Sequence, residues 1–293
     1  MRLVHGAQRQ LRLWQTDLSS LERFVVFVGN PRSGTTLVRS LLNAHPEVVI
    51  ANEVDVLRCV QAGETWQTVI GRILQNESEF AAKPVWTGYD YRVQNDSNAN
   101  ERTQSPGIRV IGDKKAGASS KWLIENPSVI DQFTNWSKLA NFAIHCVRHP
   151  FDVISTKTRR NGESLTVNVD RYFQSETTAA LQESHQQVDY FRLYQEDLVH
   201  ETSATLARLL QAIGLDVPVG YVGACEALVY EKPNRSRFQV EWTESLVREV
   251  ERRVREVPHL HRYLRNGRLL FDEEAGPTNR SMPSASQQLR RAA

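Results

Sequence analysis

Residues Phe24 to Leu42 read FVVFVGNPRSGTTLVRSLL, and the fold turns on this stretch. Phe24 to Val28 is a nearly continuous apolar run of β-branched and aromatic residues, the pattern of a strand buried on both faces of a parallel sheet. GNPRSGTT follows from Gly29 to Thr36, and then Leu37, Val38, Leu41 and Leu42 recur at helical spacing. Strand, glycine-bounded turn and helix together make a cradle for an anion. Backbone N–H groups of the turn point inward, and the helix N-terminus adds its positive dipole end. Arg32, Ser33, Thr35 and Thr36 add side-chain donors, while Gly34 lets the backbone approach closely.

The spacing of Gly29 and Gly34 is that of a nucleotide-binding P-loop, G-x-x-x-x-G-K-[ST], with Thr35 standing where the motif requires Lys. That Lys reaches the β- and γ-phosphates of a nucleoside triphosphate, and a hydroxyl is a poor substitute for its charge. The loop is therefore expected to hold a phosphate other than that of Mg-ATP. The fold class expected is α/β: a P-loop-like three-layer fold with a central, mostly parallel sheet flanked by helices.

Other strands deliver further groups to the same sheet edge. Val48 to Ala51 reads as a strand ending at Asn52-Glu53, and ligands of open α/β sheets bind outside the carboxyl ends of strands. Arg109 to Gly112 reads as a strand running into Asp113-Lys114-Lys115, and Phe142 to Val147 as one running into Arg148. Between them, residues 54–109 show weaker periodicity, with one helix expected around Thr65 to Leu74 and a polar, mobile loop after it. Loops above a site commonly carry substrate choice, so this region is assigned to the acceptor; Trp66, Trp86, Tyr89 and Tyr91 are candidates to line it, although ordinary packing accounts for such residues as well. Thr202 to Ile213 reads as a helix stopped by Gly214.

Composition bounds the rest. The chain has 293 residues, 40% of them hydrophobic, enough for a sizeable core, and a single domain over 1–272 is expected. Residues 1–22 read as a polar lead-in helix and 273–293 as a disordered tail. A formal net charge of +2 with interspersed signs argues against a nucleic-acid partner. Cys59, Cys146 and Cys225 are scattered and odd in number, as in reduced, packed thiols. His145 and His149 lack evident metal-ligand companions and read as structural, and no metal is expected. No segment reaches the length of a signal-peptide core or membrane span, so a cytoplasmic setting without membrane contact is expected.

PRSGTT after a hydrophobic strand resembles the 5′-phosphosulfate loop of sulfotransferases that use 3′-phosphoadenosine 5′-phosphosulfate (PAPS). The continuation LVRSLLNAHPEVVIANEVDVLR is similar to protein-tyrosine sulfotransferases and bacterial sulfotransferases related to them. The resemblance is dense from about Phe24 to Arg58 and sparser to about Leu215. It implies that Arg32, Ser33, Gly34, Thr35 and Thr36 hold the phosphosulfate, and that Lys114 contacts the bridging oxygen of the sulfate being transferred. DKKA at 113–116 matches that Lys motif only in part, so Lys115 is an alternative. Arg148 matches the 3′-phosphate motif, whose hydroxyl position falls on Thr156 with Ser155 just before it. Arg237, in NRSRF, stands where related enzymes bring a basic loop over that phosphate; a solvated turn fits the same residues. YQEDL at 194–198 resembles the segment that follows a later strand in the family, and Glu196 and Asp197 read there as helix-capping or ion-pairing residues.

Together these features imply sulfuryl transfer from PAPS to a hydroxyl, leaving 3′-phosphoadenosine 5′-phosphate (PAP), with Glu53 as base and Lys114 and Arg32 neutralising charge. A carbohydrate or small-molecule acceptor is favoured over protein tyrosine. Two competing readings are a P-loop kinase, which should carry Lys at position 35, and a non-catalytic nucleotide-binding module, which should lack the Glu53 and Lys114 pair.

Overall fold

In the computed structural model the described residues are 18–93, 107–230, 232, 234–266 and 268–269. At its centre β1 (Arg23–Val28) is flanked by two parallel neighbours and buried along all but its first residue. Its side chains alternate between the two faces of the sheet. Phe24, Val26 and Val28 enter one apolar core, and Val25 and Phe27 the opposite one.

The other sheet strands are β2 (Val48–Asn52), β5 (Val110–Lys114), β6 (Ala140–Val147) and β7 (Val188–Tyr194), all parallel, in the order β2-β5-β1-β6-β7. β3 (Val85–Trp86) and β4 (Tyr89–Asp90) form a separate short hairpin whose turn residues Thr87 and Gly88 both have positive φ, as a tight two-residue turn requires.

Helices cover both faces. On one lie α1 (Thr35–Leu42), which continues β1, and, further along the chain, two helices described below. On the other lie α2 (Val56–Gln61), α3 (Trp66–Ala82), α4 (Ala116–Glu125) and α5 (Val129–Ser137). α6 (Pro150–Asn161) starts directly after β6, with Pro150 in its first turn, where its missing N–H costs nothing. With α7 (Leu165–Leu181) it frames a third core. α8 (Gln195–His200) and α9 (Thr202–Ile213) follow β7, then α10 (Tyr221–Glu226) and α11 (Glu244–Glu256); α9 and α10 share the face of α1.

The edge strand β2 is closed by side chains that imitate a further strand. Asn43 accepts the Ile50 N–H and donates to the Ile50 carbonyl, at 2.8 Å each, and Asn76 does the same for Asn52 at 2.6 and 3.2 Å. The edge thus offers little to a passing strand. Arg39 joins it through Ile50 O at 2.8 Å while forming a buried ion pair with Glu77.

Several expectations change. Leu18 to Glu22 is a turn and an extended lead into β1, not helix, and 1–17 lies outside the described residues, as do 94–106 of the polar loop and the whole tail 273–293. The helix expected to end near Leu74 continues to Ala82, capped by Thr65, because its last turns are tied down as well: Asn76 bonds β2, and Glu77 pairs with buried Arg39. Trp66 takes the ordinary packing alternative: it is partly buried against the core, beside Phe24 and Trp136 at 6.0 and 5.0 Å between ring centroids. Asp113 and Lys114 belong to β5 itself instead of following it. α9 ends at Gly214, with φ 87°, as its sequence indicates.

Candidate active site

The loop between β1 and α1 turns through three left-handed residues, Gly29, Arg32 and Gly34, at φ 96°, 74° and 85°. For Arg32 this is an unusual backbone state, of the kind that concentrates at functional sites. Gly34 is the N-cap of α1 and supplies no side-chain cap, and the first turn carries no acidic residue, so its N–H groups are left for an outside acceptor. Ser33 is fully buried, and its Oγ has no hydrogen-bond partner among the described residues. An orphaned hydroxyl beside an uncapped helix start fits a phosphate oxygen. Gly34 also leaves no room for a Cβ, which would overlap the Gln195 side chain. Ser120 braces the loop from behind, its Oγ accepting the Gly29 N–H at 2.7 Å and donating to the Gly29 carbonyl at 3.1 Å.

Opposite this loop stands Glu53. The register of β2 on β5 pairs Asn52 with Lys114, so the residue after Asn52 arrives beside the Lys114 ammonium. Glu53 takes φ 74° there and turns its carboxylate onto two lysines, with Lys114 Nζ 2.9 Å from Oε1 and Lys115 Nζ 3.3 Å from Oε2. Burial pushes the carboxyl up, and the two ammoniums outweigh it, holding Glu53 below its ordinary value. Burial pushes the Lys114 ammonium down, against the opposing pull of Glu53. The lysines differ in access: the Lys114 side chain is 3% exposed and that of Lys115 28%. Arg32 feels the Glu53 charge from the loop side, with Tyr89 and Tyr91 of the hairpin region and Arg160 of α6 as its other electrostatic neighbours; burial and Arg160 lower its pKa.

Asp113 carries no motif of its own, and its role emerges only in three dimensions. It is buried, and its carboxylate accepts the N–H groups of Val54, Asp55 and Val56 at 2.9, 2.8 and 3.1 Å. These bonds tie the segment after Glu53 to the strand that carries Lys114. Gln195 is equally silent in the sequence, and its place against Gly34 could be found only from the fold.

The third group assembles at the start of α6. Arg148 donates to the Arg32 carbonyl at 3.3 Å and to the Asn234 carbonyl, so it links the glycine-bounded loop to the 234–239 segment. Thr156 Oγ1 donates to Asp152 O at 2.8 Å and lies 2.7 Å from Ser236 Oγ. Ser155 is fully buried and accepts the Trp242 indole N–H at 3.2 Å. Arg237 is buried as well, its guanidinium gripping Asp152 through Nε at 3.0 Å and Nη2 at 2.7 Å. Burial pushes the Asp152 carboxyl up, but Arg237 and Arg148 hold it below its ordinary value. Glu196 and Asp197 serve packing: Glu196 accepts the His149 N–H and the Tyr263 hydroxyl, and Asp197 pairs with Arg262.

Behind the loop, the reading of His145 as a histidine without companions is corrected. His145, Glu176 and His259 are all buried, with their ligand-type atoms within 4.8 Å of one another. Among the described residues, no helix is long and apolar enough to cross a membrane, and Cys59, Cys146 and Cys225 are free and buried.

A glycine-bounded anion loop at the carboxyl edge of a parallel sheet, without the triphosphate-binding Lys and facing a Lys–Glu pair, defines a group-transfer enzyme of the P-loop-like class. A sulfotransferase-family model matches residues 25–218, two thirds of the chain, and the protein belongs to that family. No curated protein sequence matches it. A sulfotransferase domain of the curacin biosynthetic pathway is 14% identical, with 82% of this chain and 99% of that one aligned at a TM-score of 0.51, and shares the fold. A sulfotransferase domain from the olefin synthase of Synechococcus PCC 7002 is 18% identical over 78% and 84% of the two chains, at a TM-score of 0.43. A mouse sulfotransferase solved with PAP is 12% identical over 85% and 89%, also at 0.43.

Proposed function

We propose that the protein transfers a sulfuryl group from PAPS to the hydroxyl of a carbohydrate or small-molecule acceptor, in a reducing, cytoplasmic setting. The observation that carries this reading is the Lys114–Glu53 contact facing a phosphate loop whose Lys position is occupied by Thr35. When bound, PAPS supplies an activated sulfuryl group on its 5′-phosphate.

The residues divide the work among them. The N–H groups at Ser33 to Thr36, with the Ser33, Thr35 and Thr36 hydroxyls and Arg32, hold the 5′-phosphosulfate. Arg148, with the hydroxyl of Thr156 or of Ser155, holds the 3′-phosphate. Arg237 shapes that end of the site through Asp152, since its guanidinium is committed there. Glu53 accepts the acceptor's hydroxyl proton as the new O–S bond forms, and Lys114 neutralises the charge left on the 5′-phosphate oxygen. Lys115 keeps Glu53 ionised while Lys114 turns to that oxygen. The β3–β4 hairpin, with Tyr89 and Tyr91 beside Arg32, borders the acceptor side.

Thermal unfolding with added ligands tests the reading. PAP should raise Tm by mass action on the folded state, and Mg-ATP should raise it far less. Equal stabilisation by Mg-ATP would return the loop to kinase-type chemistry. A labelled-PAPS screen over carbohydrate, phenol, alcohol and tyrosyl-peptide panels then identifies the acceptor class.

A further inference from the structure

The second residue of the phosphate loop, Asn30, has no access to solvent and points away from the loop's mouth. Its amide donates to the Tyr172 carbonyl at 3.0 Å and to Glu176 Oε1 at 2.9 Å, and its oxygen accepts from Lys157 Nζ at 3.3 Å. Glu176 is itself fully buried, with its other oxygen 2.8 Å from His259 Nε2 and 3.1 Å from His145 Nε2. His145 Nδ1 lies 2.6 Å from the Tyr190 hydroxyl, which receives Arg192 at 3.5 Å. Gly29 sits against the same His145 ring: a Cβ there would lie 2.5 Å from His145 Cδ2. Both residues that open the loop are thus keyed to one buried carboxylate and its two histidines.

Asn30 and His259 hydrogen-bond the two Glu176 oxygens, and His145 Nε2 rests 3.1 Å from the second of them without hydrogen-bond geometry. A lone buried carboxylate is costly, and this one is compensated by Asn30, two imidazoles and the nearby Lys157 ammonium. Burial, with a smaller push from Arg171, lowers the Lys157 pKa to about 8. His259 comes from the 3₁₀ turn Pro258–Tyr263, well beyond the 25–218 block that defines the family, so the C-terminal segment reaches the back of the cofactor loop.

We propose that Glu176, held by His259 with the His145 ring packed against it, is a positioning residue for cofactor binding: through Asn30 it sets the direction in which the loop's N–H groups point. This rests on the assignment of PAPS to the loop. A loop whose backbone must present several donors to one anion is sensitive to small rotations at its first residues, and an ordered partner removes that freedom.

The test is PAP affinity by calorimetry on the full chain, with Tm recorded for each variant. Glu176→Gln puts an NH2 donor where a carboxylate oxygen accepted and should weaken PAP about tenfold or more, the scale seen when supporting partners of a bound group are lost. Val254→Ala, a cavity in the C-terminal core, should lower Tm and leave PAP affinity unchanged, which separates positioning from general stability. Should Glu176→Gln fail to fold, His259→Phe removes one donor to Glu176 without touching the loop and should weaken PAP several-fold, with His259→Gln restoring it. Wild-type affinity in Glu176→Gln, or in His259→Phe where that variant stands in, overturns the proposal. One equivalent of divalent metal in the purified protein, lost in Glu176→Gln, overturns it too, in favour of a metal site. A wild-type protein that ignores PAP fails earlier, at the cofactor assignment itself, and takes this proposal with it.

Discussion

Lys114 Nζ lies 2.9 Å from Glu53 Oε1 across 61 positions of sequence, at the point where two neighbouring parallel strands end together. The contact joins the proposed base to the proposed charge-neutralising lysine, and the two roles are separable by mutation. Glu53→Gln keeps shape and hydrogen bonding but removes the proton acceptor, so kcat should fall about 10²–10⁴-fold with PAP affinity nearly unchanged. Lys114→Ala should slow turnover and also loosen PAP. Near wild-type turnover in Glu53→Gln would move the base elsewhere, with Asp55 the next residue to test.

The same carboxylate predicts a pH profile. Burial raises the Glu53 pKa and the two lysines lower it further than burial raises it, so the acid limb of kcat/KM should lie below the ordinary carboxylate range. Activity is retained above that limb, where Glu53 is ionised, and lost as pH falls through it. Lys115→Ala removes one of the lowering charges and should move the limb upward. An acid limb that stays put in this variant would assign it to another group.

Arg148 predicts a ligand-specific loss. Arg148 is half-buried, and if bound PAP completes its burial, Arg148→Ala should weaken PAP by roughly 2–5 kcal/mol, while an analogue lacking the 3′-phosphate should bind both proteins alike. Equal weakening of the two ligands would give Arg148 a purely architectural role, through the Arg32 and Asn234 carbonyls it already bonds.

Asp152 and Arg237 form a buried, doubly bonded pair, with side chains 1% and 4% exposed. Asp152→Ala leaves the guanidinium buried without its carboxylate, at a cost of roughly 3–5 kcal/mol. Chemical denaturation should show that loss, and protection of the 234–239 amides against hydrogen exchange should fall with it. A variant of wild-type stability would mean that the guanidinium finds water or another acceptor.

The local features were legible because they rest on local physics. An apolar β-branched run, two glycines at a fixed spacing and a helical period suffice to write strand, loop and helix from Phe24 to Leu42, and Thr35 in place of Lys already sets the loop apart from the triphosphate-binding motif. Glu53, Lys114 and Arg148 were legible as residues at strand ends, since a parallel sheet delivers its carboxyl ends to one edge. Contacts set by register and by packing between distant segments were not. Nothing near Lys114 states that Asp113 will bind the backbone after Glu53, because that follows from pairing Asn52 with Lys114 rather than with a neighbour. Nothing near Arg237 states that its charge is spent on Asp152. His145, Glu176 and His259 look like three unrelated polar residues until β6, α7 and the C-terminal 3₁₀ turn pack around the loop. Burial then decides their chemistry, since a carboxylate removed from water must collect its donors from wherever the fold brings them.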